Sequence, residues 1–239
     1  MLIVASPELS GVSIVLNGAF NPAVFHPKWL ADRELLSQEV AQHAVEQTSP
    51  QPLIVTAQFT SFVADWLTVQ IRQEQMMFYT VEEAREQDLR DFGVGVLSLL
   101  PENPVDALGI NCDAHFRVAS EEQWHAFGDR YLPKDAWEDV FPDGSWVART
   151  EGKRVGLRTV TVEVARGKDG VPGFVRIEVA PSVRVLPFGI YCAINGHYST
   201  SHEEGSRGTA GEYASILAKE WSSARETGIQ LLTNLEGSI

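Results

Sequence analysis

Residues 108–118 read LGINCDAHFRV, and these eleven positions hold an amide, a carboxylate, an imidazole, a guanidinium and a thiol. A nucleophilic Cys112 would need the imidazole of His115 within hydrogen-bond reach as its base. The same letters alternate with the two-residue period of a strand. Leu108, Ile110, Cys112, Ala114, Phe116 and Val118 fall on one face, and Gly109, Asn111, Asp113, His115 and Arg117 on the other. Parity separates Cys112 from His115, so the thiol is predicted to be a small buried apolar group and no catalytic residue is assigned. What remains is a polar row, Asn111, Asp113, His115 and Arg117, with neighbours roughly 6.6 Å apart. That row is a solvated sheet face, a subunit contact, or one wall of a ligand groove in which Asp113 orients His115.

A second strand carries the same grammar. In FGIYCAINGHYS, Ile190, Cys192 and Ile194 share one face, while Tyr191, Asn195 and His197 share the other. If the strands at 108–118 and 190–198 adjoin, Asn111, His115, Asn195 and His197 could meet across a pseudo-twofold and hold a small polar ligand. A hydrolytic metal centre has little support, because the second set lacks a carboxylate. Ser199, Ser201, His202 and Glu203 follow in a polar loop, but no GxSxG elbow accompanies them. GxGxxG after a strand, GxxxxGK[ST] and HExxH are also missing, so no cofactor and no metal are predicted. Cys112 and Cys192 belong to no CxxC pair and are expected as free thiols.

The elements that must position these residues follow from periodicity. GVSIVLNG at 11–18 is expected to be a strand, and Pro27 opens a helix through Trp29 and Leu30. A modest amphipathic helix is expected over 32–47, with Leu35, Leu36, Val40 and Val45 as its stripe. PLIVTAQF, WLTVQIR and MMFYTV then predict three strands, the last two joined by a turn at RQEQ. Leu89, Phe92, Val96 and Leu99 or Leu100 mark the clearest helix, ended by Pro101. Gly93 and Gly95 inside it imply close approach to a neighbouring sheet.

Ser120 with Gln123, and Thr209 with Glu212, have capping-box spacing at two further helices. GLRTVTVEVARG and GFVRIEVAPS form a hairpin ahead of the strand at 190–198. The grammar strand, strand, strand, helix thus occurs at 53–100 and again at 157–230. The predicted fold class is α+β, a mainly antiparallel sheet with helices on one face and two duplicated β-β-β-α halves. Residues 1–133 form the first half, 134–156 an irregular connection with a short helix near 135–140, and 157–239 the second half of one unit.

The 239 residues carry a net charge of -13, which repels phosphate backbones. That charge is uneven: residues 1–148 are net -14 and residues 149–184 net +4. The basic segment, with Arg154, Arg158 and Arg176, could face nucleic acid or the acidic part of another copy. It lacks interleaved aromatics, and the second partner is preferred. The stiff aromatic segment FNPAVFHPKWL either packs in the core or offers Phe25 and Trp29 as a protein contact. The first residues show no leader and no membrane span, so a cytoplasmic, homo-oligomeric protein, simplest as a dimer, is expected.

NGAFNPAVFHPKWL, LRDFGVGVLSLLPENPVDALGINCDAHFRV and SEEQWHAFGDRYLPKDAW together resemble a family of uncharacterised bacterial proteins. These share an asparagine-proline segment near the N-terminus, a helix ending before a proline, and an LGIN-type strand. The resemblance covers about the first 140 residues. It implies that the LGIN strand is a family feature and carries over no catalytic residue. The function expected from the residues is a non-enzymatic, self-associating binding or accessory protein. The alternatives are a small-ligand enzyme or sensor on the polar strand faces, and nucleic-acid binding through 149–184.

Overall fold

In a computed structural model, the structure describes residues 7–49, 51–137, 140, 156–167, 170–200 and 207–237. Among them are the strands β1 (Leu9–Gly18), β2 (Ile54–Val55), β3 (Phe59–Ala64), β4 (Leu67–Arg72), β5 (Gln75–Thr80) and β6 (Pro104–Arg117). β7 (Val160–Ala165), β8 (Gly173–Pro181), β9 (Gly189–Tyr198) and β10 (Gly208–Thr209) complete the set. All belong to one antiparallel sheet in the order β2-β3-β4-β5-β1-β6-β9-β8-β7, with β10 paired to the start of β6. The helices are α1 (Pro27–Asp32), α2 (Gln38–Glu46), α3 (Glu86–Leu99), α4 (Glu121–Tyr131) and α5 (Ala210–Glu236).

The helices cover one face because alternation makes only that face apolar. Val12, Ile14 and Leu16 of β1, with Leu108, Ile110 and Cys112 of β6, are buried beneath Leu89, Phe92 and Val96 of α3 and Tyr213, Leu217 and Trp221 of α5. α5 starts at the expected capping box: Thr209 Oγ1 accepts from Glu212 N–H at 3.3 Å, and Glu212 Oε2 accepts from Thr209 N–H at 2.8 Å. A second apolar cluster joins Phe127 of α4 to Phe116, Val118, Ile190 and Cys192. Gly93 lets α3 approach the sheet, since a Cβ there would stand 2.8 Å from Ile14 Cδ1 and 3.0 Å from Leu217 Cδ2. Gly95 faces Leu35 instead.

The chain order is regular. Strand β1, helices, β3, β4, β5 and α3 are followed by strand β6, a helix, β7, β8, β9 and α5. In each set the first strand pairs with the last, β1 with β5 and β6 with β9, and β1–β6 pairing joins the sets into one sheet. β6 therefore occupies the place of β1, not of β9. Of the connection expected at 134–156, a short 3-10 helix at Asp135–Trp137 is observed, and residues 138–139 and 141–155 lie outside the described residues.

Three expectations change. The helix predicted over 32–47 is shorter, Gln38–Glu46, because residues 33–37 turn the chain after α1: Glu34 has a φ of 62° and Ser37 Oγ caps α2 by accepting from Val40 N–H at 3.1 Å. The segment 53–81 holds four strands rather than three. Thr56 Oγ1 accepts from Phe59 N–H at 2.9 Å and closes a turn between β2 and the unpredicted β3. The turn at Gln73 and Glu74 joins β4 to β5 as expected. Finally, the aromatic segment faces inward: Phe25 is buried, and Trp29 meets it edge to face at 5.7 Å while packing on the core. Phe25 and Trp29 are thus packing residues, and the protein contact considered for them is withdrawn.

Candidate ligand-binding site

Among the described residues no helix lies on the opposite side of the sheet, and the polar row of β6 lies near the centre of that side. β6 is flanked by β1 and β9 in a register that sets Ser13, Asn111 and Asn195 side by side, then Gly11, Asp113 and Ala193, then Leu9, His115 and Tyr191. Asn111 and Asn195 do adjoin, as the candidate set required. Asn111 Nδ2 donates to Ser13 Oγ at 3.3 Å, while the Oδ1 atoms of both asparagines are buried without a hydrogen-bond partner.

The two histidines do not converge. His197 is opposite Gly109, six positions along β6 from His115, a separation on the order of 20 Å. His197 stacks flat on Phe174 with centroids 4.2 Å apart, and the Arg176 guanidinium lies 4.9 Å over the other ring. Arg176 is itself held by Glu163 at 2.8 Å. Burial, with help from Arg176, pushes the His197 imidazole below its ordinary value.

His115 is oriented by Ser182, not by Asp113. Its Nδ1 lies 2.8 Å from Ser182 Oγ, and both side chains are buried. This looks like a nucleophile and its base, but Ser182 Oγ also accepts from Arg184 N–H at 3.1 Å and Val185 N–H at 2.8 Å. The serine oxygen is occupied by two backbone donors, so its proton goes to Nδ1 and His115 carries its own on Nε2. The arrangement ties the turn at 182–185 to β6. Burial, then the charge of Arg184, pushes the His115 imidazole below its ordinary value.

Asp113 remains at the centre. Its carboxylate is half-buried and makes no hydrogen bond or ion pair among the described residues. Burial raises its pKa, against the nearby Arg184 guanidinium, which lowers it. Tyr79 folds over Gly11, where a Cβ would fall 2.2 Å from the phenol oxygen, so a glycine is needed for that ring position. Burial, then the Asp113 charge, raise the Tyr79 phenol, while the neighbouring Arg184 guanidinium acts the other way. The Tyr191 ring rests against His115 at a centroid distance of 4.9 Å, and burial first, then Asp113, push its phenol to about 12. Ser13, Met77, Tyr79, Asp113, Arg184 and Tyr191 line an open depression of about 490 Å³. Burial drives its acid, its phenols and its imidazole toward their neutral forms, the signature of a desolvated polar site.

Arg117 lies outside the depression, at the end of β6, where it holds Glu8 and donates to Leu186 O at 2.6 Å. Cys112 and Cys192 are free and buried on the helix-covered face, with burial raising their thiols to about 11 and about 12. Of the basic segment, Arg158 is exposed, Arg176 is paired with Glu163, and Arg154 lies outside the described residues. Tyr79 and Ser182 were not singled out from sequence, and Arg184 counted there only as the last residue of the basic segment 149–184. Parity in MMFYTV puts Met77 and Tyr79 on one face, but only the pairing of β5 with β1 brings them beside Asp113.

Among the described residues, no group of three or more His, Cys, Asp and Glu side chains could hold a metal ion. No described helix is long and apolar enough to cross a membrane. No family model, no curated protein and no solved structure matches this chain.

Proposed function

We propose that this chain is a non-catalytic binding protein for a small zwitterion with a flat apolar side group, the class of the aromatic amino acids, and that the depression on the open sheet face is its site. The observation that carries this reading is the half-buried carboxylate of Asp113, unpaired among the described residues, beside the Arg184 guanidinium and two phenols. A carboxylate taken out of water without a partner is costly, and a ligand ammonium supplies the missing charge. Arg184 would take the ligand carboxylate, and Tyr79, Tyr191 and Met77 supply surface for the flat group. Binding is favoured over turnover because the serine near the imidazole has its oxygen occupied and Cys112 is on the other face. We also infer that the two sets of elements, β1 to α3 and β6 to α5, descend from one duplicated unit, which would put the site beside the β1–β6 seam.

Calorimetric titration with L-phenylalanine, phenethylamine and phenylacetate tests the ligand class. Saturable heat is expected with the zwitterion, weaker binding with the amine, and none with the acid. Asp113→Asn should abolish it without unfolding the chain, since it removes an unpaired half-buried charge. The absence of saturable heat with all three compounds, or binding unchanged in Asp113→Asn, would overturn the proposal.

A further inference from the structure

We propose that a second copy of this chain pairs antiparallel with the outer edge of β7, about a twofold axis at Val162. β7 ends the sheet: β8 pairs with it on one side, and no described strand pairs on the other. Its register with β8 runs unbroken from Val160 to Ala165, with no bulge, no proline and no lysine in the strand. Those are the devices that ordinarily keep an edge from pairing. At the opposite end of the sheet, β2 has only two residues and offers far less ladder.

Hydrogen-bond parity decides which residues face outward. Arg166 N–H donates to Gly173 O at 3.0 Å, so Val164, Val162 and Val160 direct their backbone groups toward β8 by the alternation of an antiparallel ladder. Thr161, Glu163 and Ala165 direct theirs outward. The Val162 and Val164 side chains are 50% and 56% exposed on the helix-bearing face. The edge thus combines backbone groups that have no partner among the described residues with an exposed apolar stripe.

The occupant is a second copy because this sequence complements itself in one register. A twofold at Val162 sets Thr161 opposite Glu163 of the partner subunit, a pair whose outward groups match. It also sets Val162 against its equivalent and Val160 against the partner's Val164, extending the apolar stripe across the junction. Glu163 keeps its own Arg176 and never faces a second Glu163. Moving the twofold to Glu163 would oppose like charges, which is unfavourable on a sheet. Moving it to Thr161 shortens the ladder.

The register is tested by cysteine placement. At the axis, two cysteines would have Cα atoms about 4.5 Å apart, within disulfide range. Val162→Cys should therefore oxidise to a covalent dimer on non-reducing gels, whereas Val160→Cys and Val164→Cys each should not, because neither faces itself. Sedimentation of the full chain from 1 to 100 µM should give twice the 26.4 kDa chain mass. Val162→Lys and, separately, Thr161→Pro should raise the dissociation constant at least about tenfold, while Ile229→Lys, at an exposed residue on α5, leaves it unchanged. Circular dichroism checks that each variant is folded. A single-chain mass throughout the range, a dimer unaffected by Val162→Lys and Thr161→Pro, or cross-linking at 160 or 164 rather than 162 would overturn the proposal.

Discussion

Gly228 lies inside α5, where replacing glycine by alanine ordinarily stabilises a helix by about 1 kcal/mol. Here the opposite is expected. A Cβ at position 228 would stand 2.4 Å from Cys112 Sγ, with its next neighbours at 3.8 Å and 4.0 Å. Ordinary contact is about 3.5–4.0 Å, so the overlap exceeds 1 Å and falls on one atom. Overpacking of this kind costs typically about 1–3 kcal/mol. Gly228→Ala should therefore be neutral to destabilised by about 2 kcal/mol after the helix gain is subtracted. In a Cys112→Ala background the clashing sulfur is gone, and the remaining contacts are ordinary. There Gly228→Ala should stabilise by up to about 1 kcal/mol.

The sign reversal is what the structure requires. Urea unfolding of the four proteins of this double-mutant cycle should give a coupling energy of about 1–3 kcal/mol. In a chain of this size each kcal/mol also moves the melting temperature by about 2–4 °C. A Gly228→Ala variant that gains equal stability in both backgrounds would refute the placement of α5 against Cys112.

Two further outcomes concern titration and thiol chemistry. His115 and His197 both have folded-state pKa values below 6.5. As pH falls, the unfolded chain takes up these protons first, so their stabilisation is present above about 6.5 and is lost as pH falls through the lowered folded values. Asp113 and Glu236, raised from 3.8 and 4.5, have the opposite sign: their contribution is present below those values and is lost as pH rises through the folded ones. Urea midpoints should therefore drop between pH 7.5 and 5.5, and a His115→Gln/His197→Gln variant should show a shallower slope; an unchanged slope would refute the burial assigned to both rings. Cys112 and Cys192, buried with thiols near 11 and 12, should resist an aromatic disulfide reagent at pH 8 in the native chain and react in guanidinium. Immediate native labelling of either would contradict its position under the helices.

Several features were legible in the residues because they depend on local geometry. The separation of Cys112 from His115 needs only the two-residue period of an extended chain, and the observed burial of one face follows it. The cap at Thr209 and Glu212 depends on residues within one turn of each other. Where local signals competed, the reading failed. Leu35 and Leu36 have helical spacing, but Leu35 meets Gly95, sixty residues away, and the chain turns at Glu34 to allow that contact. In TSFVA, two hydroxyl residues blurred the alternation of β3; Thr60 is nonetheless buried because its hydroxyl reaches Pro22 O at 2.7 Å.

The candidate site divides along the same line. By itself the sequence determined that Asn111, Asp113 and His115 share a face, that Asn195 and His197 share another strand's polar face, and that the two thiols lie on the apolar side. Only the tertiary structure decided that β6 runs between β1 and β9, which joins Asn111 to Asn195 and keeps His115 far from His197. It also brought Tyr79 and Arg184 to Asp113, and Ser182 to His115, across 67 residues of chain in the last case. The physical reason is range. Which side of a strand a residue faces is set by its own backbone, whereas which strand lies next to it is set by a core shared by the whole sheet.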